Sequence, residues 1–366
     1  MGLRHAGAED RVKRLALAAA ALALAACGGP RLGDPAFALH DCARHALIDA
    51  DTGLPIVGAE DLAAHPDGRR VYVSAYDRLA VEAAVEAGDP APDGGLYVVD
   101  PMQLSAASSE VRSIIASPSK LVIQHLRGLR PHGIAVSGDR LAMVNRLQRP
   151  GGALYPAIQQ YEISGGAAEL IDSRRSDTYC AANDLAFDGD GLVISLDRKK
   201  CPGWAFDERV LGVAKGRLVF YSRDGREEDL VGGLKFANGV EVLSDGRFAV
   251  AETRRNRIYI REPDGSGRRL KTPGGADNLT LAPDGRLIAA LHPDLIRLGR
   301  YRYGHRDTAP SRVIALDPDT GDIELLFEDR SGETFSGATA AVLMDGLLVV
   351  GSVRDAGLLV CRKAPA

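Results

Sequence analysis

Acidic, amide and imidazole side chains recur at one position of a motif that the chain repeats six times. In "NGVEVLSDG", for example, Asn238 lies seven residues before Asp245 of an Asp-Gly turn. The first positions of the six copies are Glu60, His132, Asn183, Asn238, Asp277 and Ala338. The second positions are Asp61, Gly133, Asp184, Gly239, Asn278 and Thr339. Turn preference explains one such residue before a strand, but polar residues at five of six matched positions indicate a shared role.

The chemistry of these side chains favours a hard metal ion. Four of them are carboxylates, namely Glu60, Asp61, Asp184 and Asp277. At about 5 Å each pair of negative charges would repel by roughly 3 kcal/mol at an effective dielectric constant of 20. No Lys or Arg occupies the motif positions to offset this repulsion. Carboxylate and amide oxygens favour Ca²⁺ over Zn²⁺, and the four negative charges would balance two Ca²⁺ ions.

Short strands and tight turns position these residues. Each motif reads as a strand, a turn and a second strand, as in "NGVEVLSDG" followed by "RFAVAE". Further strand candidates, such as "GGLYVVD" and "RIYIRE", give about four strands per repeat unit. The sequence therefore predicts an all-β fold, a six-bladed β-propeller with four strands per blade. The innermost strand of each blade runs along the axis, so the metal site is predicted at the central channel.

The composition is consistent with a globular protein that does not bind nucleic acid. The chain has 366 residues, of which 45% are hydrophobic, and this is enough for a large core. Its formal net charge is -4, and no long basic run is present. We therefore expect no nucleic-acid partner.

The N-terminal segment has the pattern of a bacterial export signal. Arg11, Lys13 and Arg14 precede the apolar run "LALAAAALALAACGG". Cys27 directly after Leu-Ala-Ala resembles a lipobox, in which the cysteine is lipidated. The alternatives are an ordinary signal peptide and a transmembrane helix, and the apolar run is too short to span a membrane comfortably. We predict a signal peptide at 1–26, a lipidated N-terminus and linker at 27–40, and the propeller at 41–366. Gly28 after Cys27 favours the periplasmic face of the outer membrane.

Export makes disulfides the expected state of the remaining cysteines, which are Cys42, Cys180, Cys201 and Cys361. Three pairings are possible, and four free thiols are the alternative. Cys42 lies near the start of the folded part and Cys361 near its end. A bond between them would close a very long loop, a stabilisation of roughly 4 to 5 kcal/mol in the chain-entropy model.

The motifs resemble the paraoxonase/arylesterase family of calcium-dependent six-bladed propellers. "GAEDLAAHPDG", "PHGIAV", "NDLAF", "FANGVEVLSDG" and "DNLTLAPDG" occur in the family's order, from about Cys42 to Cys361. Asn-Gly with a downstream Asp-Gly also occurs in gluconolactonase-like and strictosidine-synthase-like propellers. The Glu-Asp pair and Pro-His-Gly-Ile are more specific to paraoxonases.

The resemblance implies which residues would bind two calcium ions. A catalytic Ca²⁺ would be held by Glu60, Asn183, Asn238, Asp277 and Asn278. A structural Ca²⁺ would be held by Asp61, Asp184 and the backbone carbonyl of Ile134. The resemblance also pairs the first and last cysteines, Cys42 with Cys361. Cys180–Cys201 then follows by elimination.

The resemblance further implies that two histidines are catalytic. His132 would be the general base beside the catalytic ion, and His292 in "ALHP" matches a second histidine of the family pocket. Where animal members have a histidine behind the base, this chain has Arg146. A guanidinium there would keep His132 neutral but cannot relay a proton at neutral pH.

These features predict an enzyme that hydrolyses carboxylic esters or lactones, an arylesterase or lactonase. Calcium would polarise the substrate carbonyl, and His132 would activate water. No G-x-S-x-G elbow is present, so a serine nucleophile is not expected. A sugar lactonase of the gluconolactonase type and a non-enzymatic, lipid-anchored scaffold are the alternatives.

Overall fold

The computed structural model describes residues 32–104, 113–116, 119–120, 122–123, 128–149, 152–164, 166–199 and 213–363. The predicted signal peptide, the lipidation site Cys27 and the predicted disulfide partner Cys201 lie outside these residues. Within them, no helix is long and apolar enough to cross a membrane.

The described residues form 26 strands, which are mostly short and separated by turns. In chain order they are β1 (Cys42–Leu47), β2 (Ala59–Ala64), β3 (Val71–Ala75), β4 (Gly95–Val99), β5 (Ser113–Ala116), β6 (Ser119–Lys120), β7 (Val122–Ile123), β8 (Pro131–Ser137), β9 (Arg140–Gln148), β10 (Leu154–Ser164), β11 (Ala167–Arg174), β12 (Ala182–Asp188), β13 (Gly191–Leu196), β14 (Gly216–Tyr221), β15 (Glu227–Leu234), β16 (Ala237–Val242), β17 (Phe248–Glu252), β18 (Arg257–Arg261), β19 (Gly267–Lys271), β20 (Gly275–Leu281), β21 (Leu287–His292), β22 (Ser311–Leu316), β23 (Ile323–Asp329), β24 (Ala338–Met344), β25 (Leu347–Ser352) and β26 (Leu358–Arg362).

The helices of the described residues are few and short. They are the α-helices α1 (Arg78–Ala87), α2 (Pro101–Leu104) and α3 (Leu295–Arg302), with 3-10 turns at Leu39–Asp41, Asp177–Ala181 and Thr253–Arg255. Asp77 caps the start of α1 by accepting from the Ala80 amide, and Gly88 ends it in the left-handed conformation. Asp294 caps α3 by accepting from two backbone amides.

The strands form six sheets, which confirms the predicted six-bladed propeller. The sheets have the orders β2-β3-β4-β6, β7-β11-β10-β9-β8, β12-β13-β14-β15, β16-β17-β18-β19, β20-β21-β22-β23 and β24-β25-β26-β1-β5. Each has the predicted four antiparallel strands, and two sheets carry an additional parallel strand, β7 or β5. We number them as blades 1 to 6 from the innermost strands β2, β8, β12, β16, β20 and β24.

The hairpins form where the sequence places Asp-Gly turns. In blade 4 the alternating residue Val240 pairs with Val250. The connecting turn is closed by the Asp245 side chain, which accepts from the Arg247 amide, and by Gly246 at a φ of 82°. The alternating apolar residues then pack between neighbouring blades, as Val193 of blade 3 does with Val250 of blade 4.

Both ends of the chain meet in blade 6. Strand β1 pairs antiparallel with β26, and the disulfide Cys42–Cys361 joins them across 319 residues. This confirms the predicted bond. Cys180 is also disulfide-bonded, and its pairing with Cys201 stays a prediction. The Phe37 amide bonds to Leu326, so the end of the predicted linker packs on the propeller.

Candidate active site in the central channel

The innermost strands bring the predicted site residues together. A cavity of about 680 Å³ is lined by Glu60, His132, Asn183, Asn238, Asp277 and His292, among others. The remaining predicted residues do not line it, but they are buried close by in the same strands; they are Asp61, Ile134, Asp184 and Asn278. The predicted convergence of polar side chains at the channel is therefore present.

A β-bulge aims these side chains at the channel. In all six blades the first strand has one extra residue at the motif position relative to the second strand. In blade 4 the bulge lies between Ala237 and Val240, so Asn238 and Gly239 belong to it. Bulges redirect side chains next to functional sites. The sequence motif gave the positions but not this geometry.

The sixth ring position is Thr339, and Ala338 was the wrong residue for it. In blade 6 the bulge falls between Ala338 and Ala340. Thr339 lines the cavity and donates to the Glu60 carbonyl at 2.8 Å. Counting seven residues back from Asp345 fails here because Asp345 is the first residue of a two-residue turn. In the equally short turns of blades 2 and 3, the aspartate is the second residue.

Two glycines let neighbouring blades approach closely. A Cβ on Gly133 would lie 2.6 Å from the Asn183 carbonyl oxygen. One on Gly239 would lie 2.5 Å from the Asp277 carbonyl oxygen. These second motif positions are therefore glycine because backbone of the next blade occupies the side-chain space.

Arg78 at the start of α1 reaches into the cavity and contacts two predicted site residues. Its Nη2 atom lies 2.9 Å from Glu60 Oε1 and 2.9 Å from His132 Nδ1. Burial raises the pKa of Glu60, but the charge of Arg78, with the contact to His132, outweighs burial and lowers the pKa to about 2. Glu60 is therefore ionised at neutral pH.

His132 is held as a neutral imidazole. Burial lowers its pKa to about 4, and the charges of Arg146 and Arg78 act in the same direction against the opposing effect of Glu60. Glu60 Oε2 lies 2.5 Å from Nδ1, yet this oxygen has no hydrogen bond among the described residues. Nδ1 lies within hydrogen-bond distance of both Arg78 Nη2 and Glu60 Oε2, and the position of the ring proton decides which of the two it bonds.

Asp277 of blade 5 contacts His292 of the same blade and Asn238 of blade 4. Its Oδ2 atom lies 2.6 Å from His292 Nε2. Its Oδ1 atom accepts a short hydrogen bond from the Asn238 side-chain amide. The Asn238 amide thus points its NH₂ at Asp277, while its Oδ1 atom is buried without a donor among the described residues.

Asp61 and Asp184 form a second, fully buried acidic pair. Asp61 accepts from the Ile134 amide at 2.7 Å, and Asp184 from the Val240 amide at 2.8 Å. Burial raises the pKa of both carboxyls well above the usual range, and Asp184 raises that of Asp61 further. A cation beside the two carboxyls would lower the free-energy cost of ionising them.

The donor chemistry fits calcium, although the carboxylates alone do not form a metal site. No three His, Cys, Asp or Glu side chains are grouped as metal ligands in the part of the chain that the structure describes. Amides make up most of the predicted catalytic set, with only Glu60 and Asp277 as carboxylates. Buried oxygens without donors, Glu60 Oε2 and Asn238 Oδ1, are what a hard cation requires.

The sequence motif missed several cavity residues. Arg78 and Glu82 lie on α1, which interrupts the strand pattern after β3, and Arg302 lies on α3 and bonds to Glu82 at 3.0 Å. Basic residues in a segment that breaks the strand periodicity were the available signal. Outside the cavity lining, the motif also missed Glu241 as a residue with a shifted pKa. Burial raises its pKa to about 7.

Residues 204–361 match the family model described as Arylesterase. The predicted resemblance to the arylesterase family is confirmed. The match extends from β14 of blade 3 into β26 of blade 6, which is less than half of the chain, and it includes Asn238, Asp277 and His292. No curated protein matches the chain.

Solved structures with the same fold share little sequence with the chain. A luciferin-regenerating enzyme is 14% identical with a TM-score of 0.52, over 88% of this chain and 95% of that one. Regucalcin of Agrobacterium tumefaciens, a calcium-binding protein, is 13% identical with a TM-score of 0.50, over 87% of this chain and 94% of that one. These structures show the propeller fold of this chain.

Proposed function

We propose that the protein is a calcium-dependent hydrolase of carboxylic esters or lactones. The observation that carries this proposal is a group of buried oxygen acceptors without donors beside a neutral imidazole, in a cavity of small-molecule size. Ligand sites commonly combine such a cavity with a few polar groups and perturbed pKa values. The arylesterase match points to the same class of reaction.

In this proposal the metal ligands are those that the family resemblance implies. Glu60, Asn183, Asn238, Asp277 and Asn278 hold one ion. Asp61, Asp184 and the Ile134 carbonyl hold the second. The first ion, when bound, supplies positive charge near the substrate carbonyl oxygen, where negative charge develops during hydrolysis.

His132 takes the proton of the attacking water. Its pKa of about 4 keeps it unprotonated at neutral pH, and general-base catalysis requires that form. Its Nδ1 atom lies 2.9 Å from Arg78 Nη2 in this structure. Arg78 would leave Glu60 and His132 if a divalent cation bound at Glu60, because like charges repel. His292 orients Asp277.

The test is a substrate panel assayed with calcium and with excess chelator. We expect the purified protein to hydrolyse aryl acetates or aliphatic lactones only with calcium. Glu60→Gln should lose both bound calcium and turnover, whereas Glu162→Gln on the exposed edge of β10 should keep both. Full activity of Glu60→Gln in chelator would refute the mechanism.

The alternatives give different outcomes in the same panel. A preference for gluconolactone over aryl acetates would indicate a sugar lactonase. A protein that contains no calcium, melts identically with chelator and hydrolyses nothing would be a scaffold.

We also propose that the protein is an exported lipoprotein anchored through Cys27 at the periplasmic face of the outer membrane. The support is the sequence of residues 11–29. Labelled palmitate should enter the wild-type protein but not Cys27→Ser. Equal labelling of both would contradict the anchor.

A further inference from the structure

The cavity carries more positive than negative charge. Among the described residues, six basic and four acidic side chains line it. Three of the basic residues are paired with cavity carboxylates: Arg78 with Glu60, Arg198 with Asp197 and Arg302 with Glu82. A surplus of positive charge in a concave site attracts anionic ligands.

Arg146 is a cavity cation with no carboxylate in ion-pair contact among the described residues, and Asp197 and Glu60 act on it only through longer-range charge. Arg146 lies on β9, beside the strand that carries His132, and is half-buried. Its guanidinium makes one hydrogen bond, from Nη2 to the Ala182 carbonyl at 2.9 Å, and no ion pair with any described residue. Burial lowers its pKa. A partly buried guanidinium with unused donors is costly unless a ligand supplies the acceptor.

A purely structural role of Arg146 is the alternative, and Arg130 is an example of an arginine with such a role. Arg130 donates to the carbonyls of Pro92, Ala91 and Arg146 and to the Asp93 carboxylate. The guanidinium donors of Arg130 are therefore bonded to protein acceptors. Arg146 has one such acceptor, the Ala182 carbonyl, and its other guanidinium donors bond to no described protein group. Arg146 also lines the cavity.

We infer that Arg146 anchors an acidic group of the substrate, so that the ester or lactone carries a carboxylate in addition to its scissile carbonyl. The planar guanidinium matches a carboxylate through two parallel hydrogen bonds. Its place beside His132 sets this carboxylate next to the reacting end of the cavity. The inference rests on the proposed hydrolase function and specifies its substrate class.

The experiment compares two substrates of the same shape, 4-acetoxybenzoate and 4-acetoxybenzamide. Wild-type protein should hydrolyse the carboxylate with about 10- to 100-fold higher kcat/KM, the range expected for charge-assisted hydrogen bonds. Arg146→Gln should abolish this ratio, and Arg146→Lys should retain part of it. Arg149→Gln is the matched control, because Arg149 is exposed on Tyr155 and does not line the cavity.

A binding measurement separates the two proposals. Calorimetry with the products 4-hydroxybenzoate and 4-hydroxybenzamide needs no turnover and should show the same Arg146-dependent preference. Equal hydrolysis of both substrates by the wild type, or a ratio that survives in a folded Arg146→Gln, would overturn the inference and leave the hydrolase function standing. Arg146-dependent carboxylate binding without hydrolysis would show that Arg146 binds a carboxylate, but it would refute the hydrolase and with it the inferred substrate class. Neither binding nor hydrolysis would overturn both.

Discussion

At the scale of single residues, the site combines a predicted ring of oxygen ligands with an arginine that lay outside the motif. The ring residues Glu60, Asn238 and Asp277 line the cavity as the repeat indicated. Arg78 forms an ion pair with one of these predicted calcium ligands. The positive charge that the acidic ring requires is therefore supplied in part by the protein itself.

Replacing Arg78 should strengthen calcium binding. Arg78→Gln removes a positive charge 2.9 Å from Glu60, and we expect about tenfold or higher calcium affinity, since a divalent cation no longer competes with it. Titration against a calcium chelator measures this. Arg302→Gln is the control, because Arg302 lines the same cavity but pairs with Glu82. Unchanged or weaker binding in Arg78→Gln would show that the guanidinium does not oppose the ion.

The acidic pair Asp61 and Asp184 should make stability depend on pH and calcium together. Both carboxyls have raised pKa values in the folded protein, so without a cation stability falls as the pH rises above about 4, the unfolded value. Bound calcium favours the ionised forms, so its stabilising effect should grow with pH. Melting curves from pH 5 to 8 with calcium or chelator test this. Identical curves at every pH would exclude a cation at this pair.

At the scale of elements, the bulged first strand of each blade sets the site geometry. The alternating apolar pattern and the Asp-Gly turns were sufficient to predict these strands. The bulge was not predictable, because one extra residue in a strand leaves no mark on a pattern read along one strand alone. Helix α1 interrupts the strand pattern after β3, and its contact with Glu60 depends on how it packs over the channel.

Substituting Gly239 should damage both packing and the site. Gly239→Ala places a methyl group 2.5 Å from the Asp277 carbonyl oxygen and 2.6 Å from Asn278 Cα. Because backbone cannot yield as a flexible side chain can, we expect a loss of about 1–3 kcal/mol in unfolding free energy and weaker calcium binding. Gly232→Ala, which meets nothing within 4 Å, is the control. Equal stability of both variants in urea denaturation would contradict the close approach.

At the scale of the whole molecule, the ring of blades is closed by residues from opposite ends of the chain. Strand β1 completes the sheet that β24, β25 and β26 begin. Apolar side chains pack between adjacent blades in separate clusters, and the two clusters that include blade 6 contain residues from both ends of the chain.

Removing the closing disulfide should have a large effect on stability. Cys42→Ser with Cys361→Ser frees a loop of more than 300 residues, and the chain-entropy model gives about 5 kcal/mol lower unfolding free energy. That is a large share of typical domain stability, about 5–15 kcal/mol. Urea denaturation monitored by circular dichroism measures it. An unchanged midpoint would mean that blade pairing alone closes the ring.

The sequence by itself determined the all-β fold, the six repeats and the polar residues at the channel. Apolar alternation, turn residues and the seven-residue offset are local properties, and they can be recognised because the chain repeats them. The sequence also indicated the Cys42–Cys361 bond through the family resemblance. The tertiary structure decided what surrounds those residues. A bulge puts Thr339 instead of Ala338 at the channel. Packing also places Arg78, from an insertion, against Glu60 and leaves Arg146 at the cavity without an ion pair among the described residues. These facts depend on packing between segments distant in the chain, and charge compensation is set by spatial neighbours.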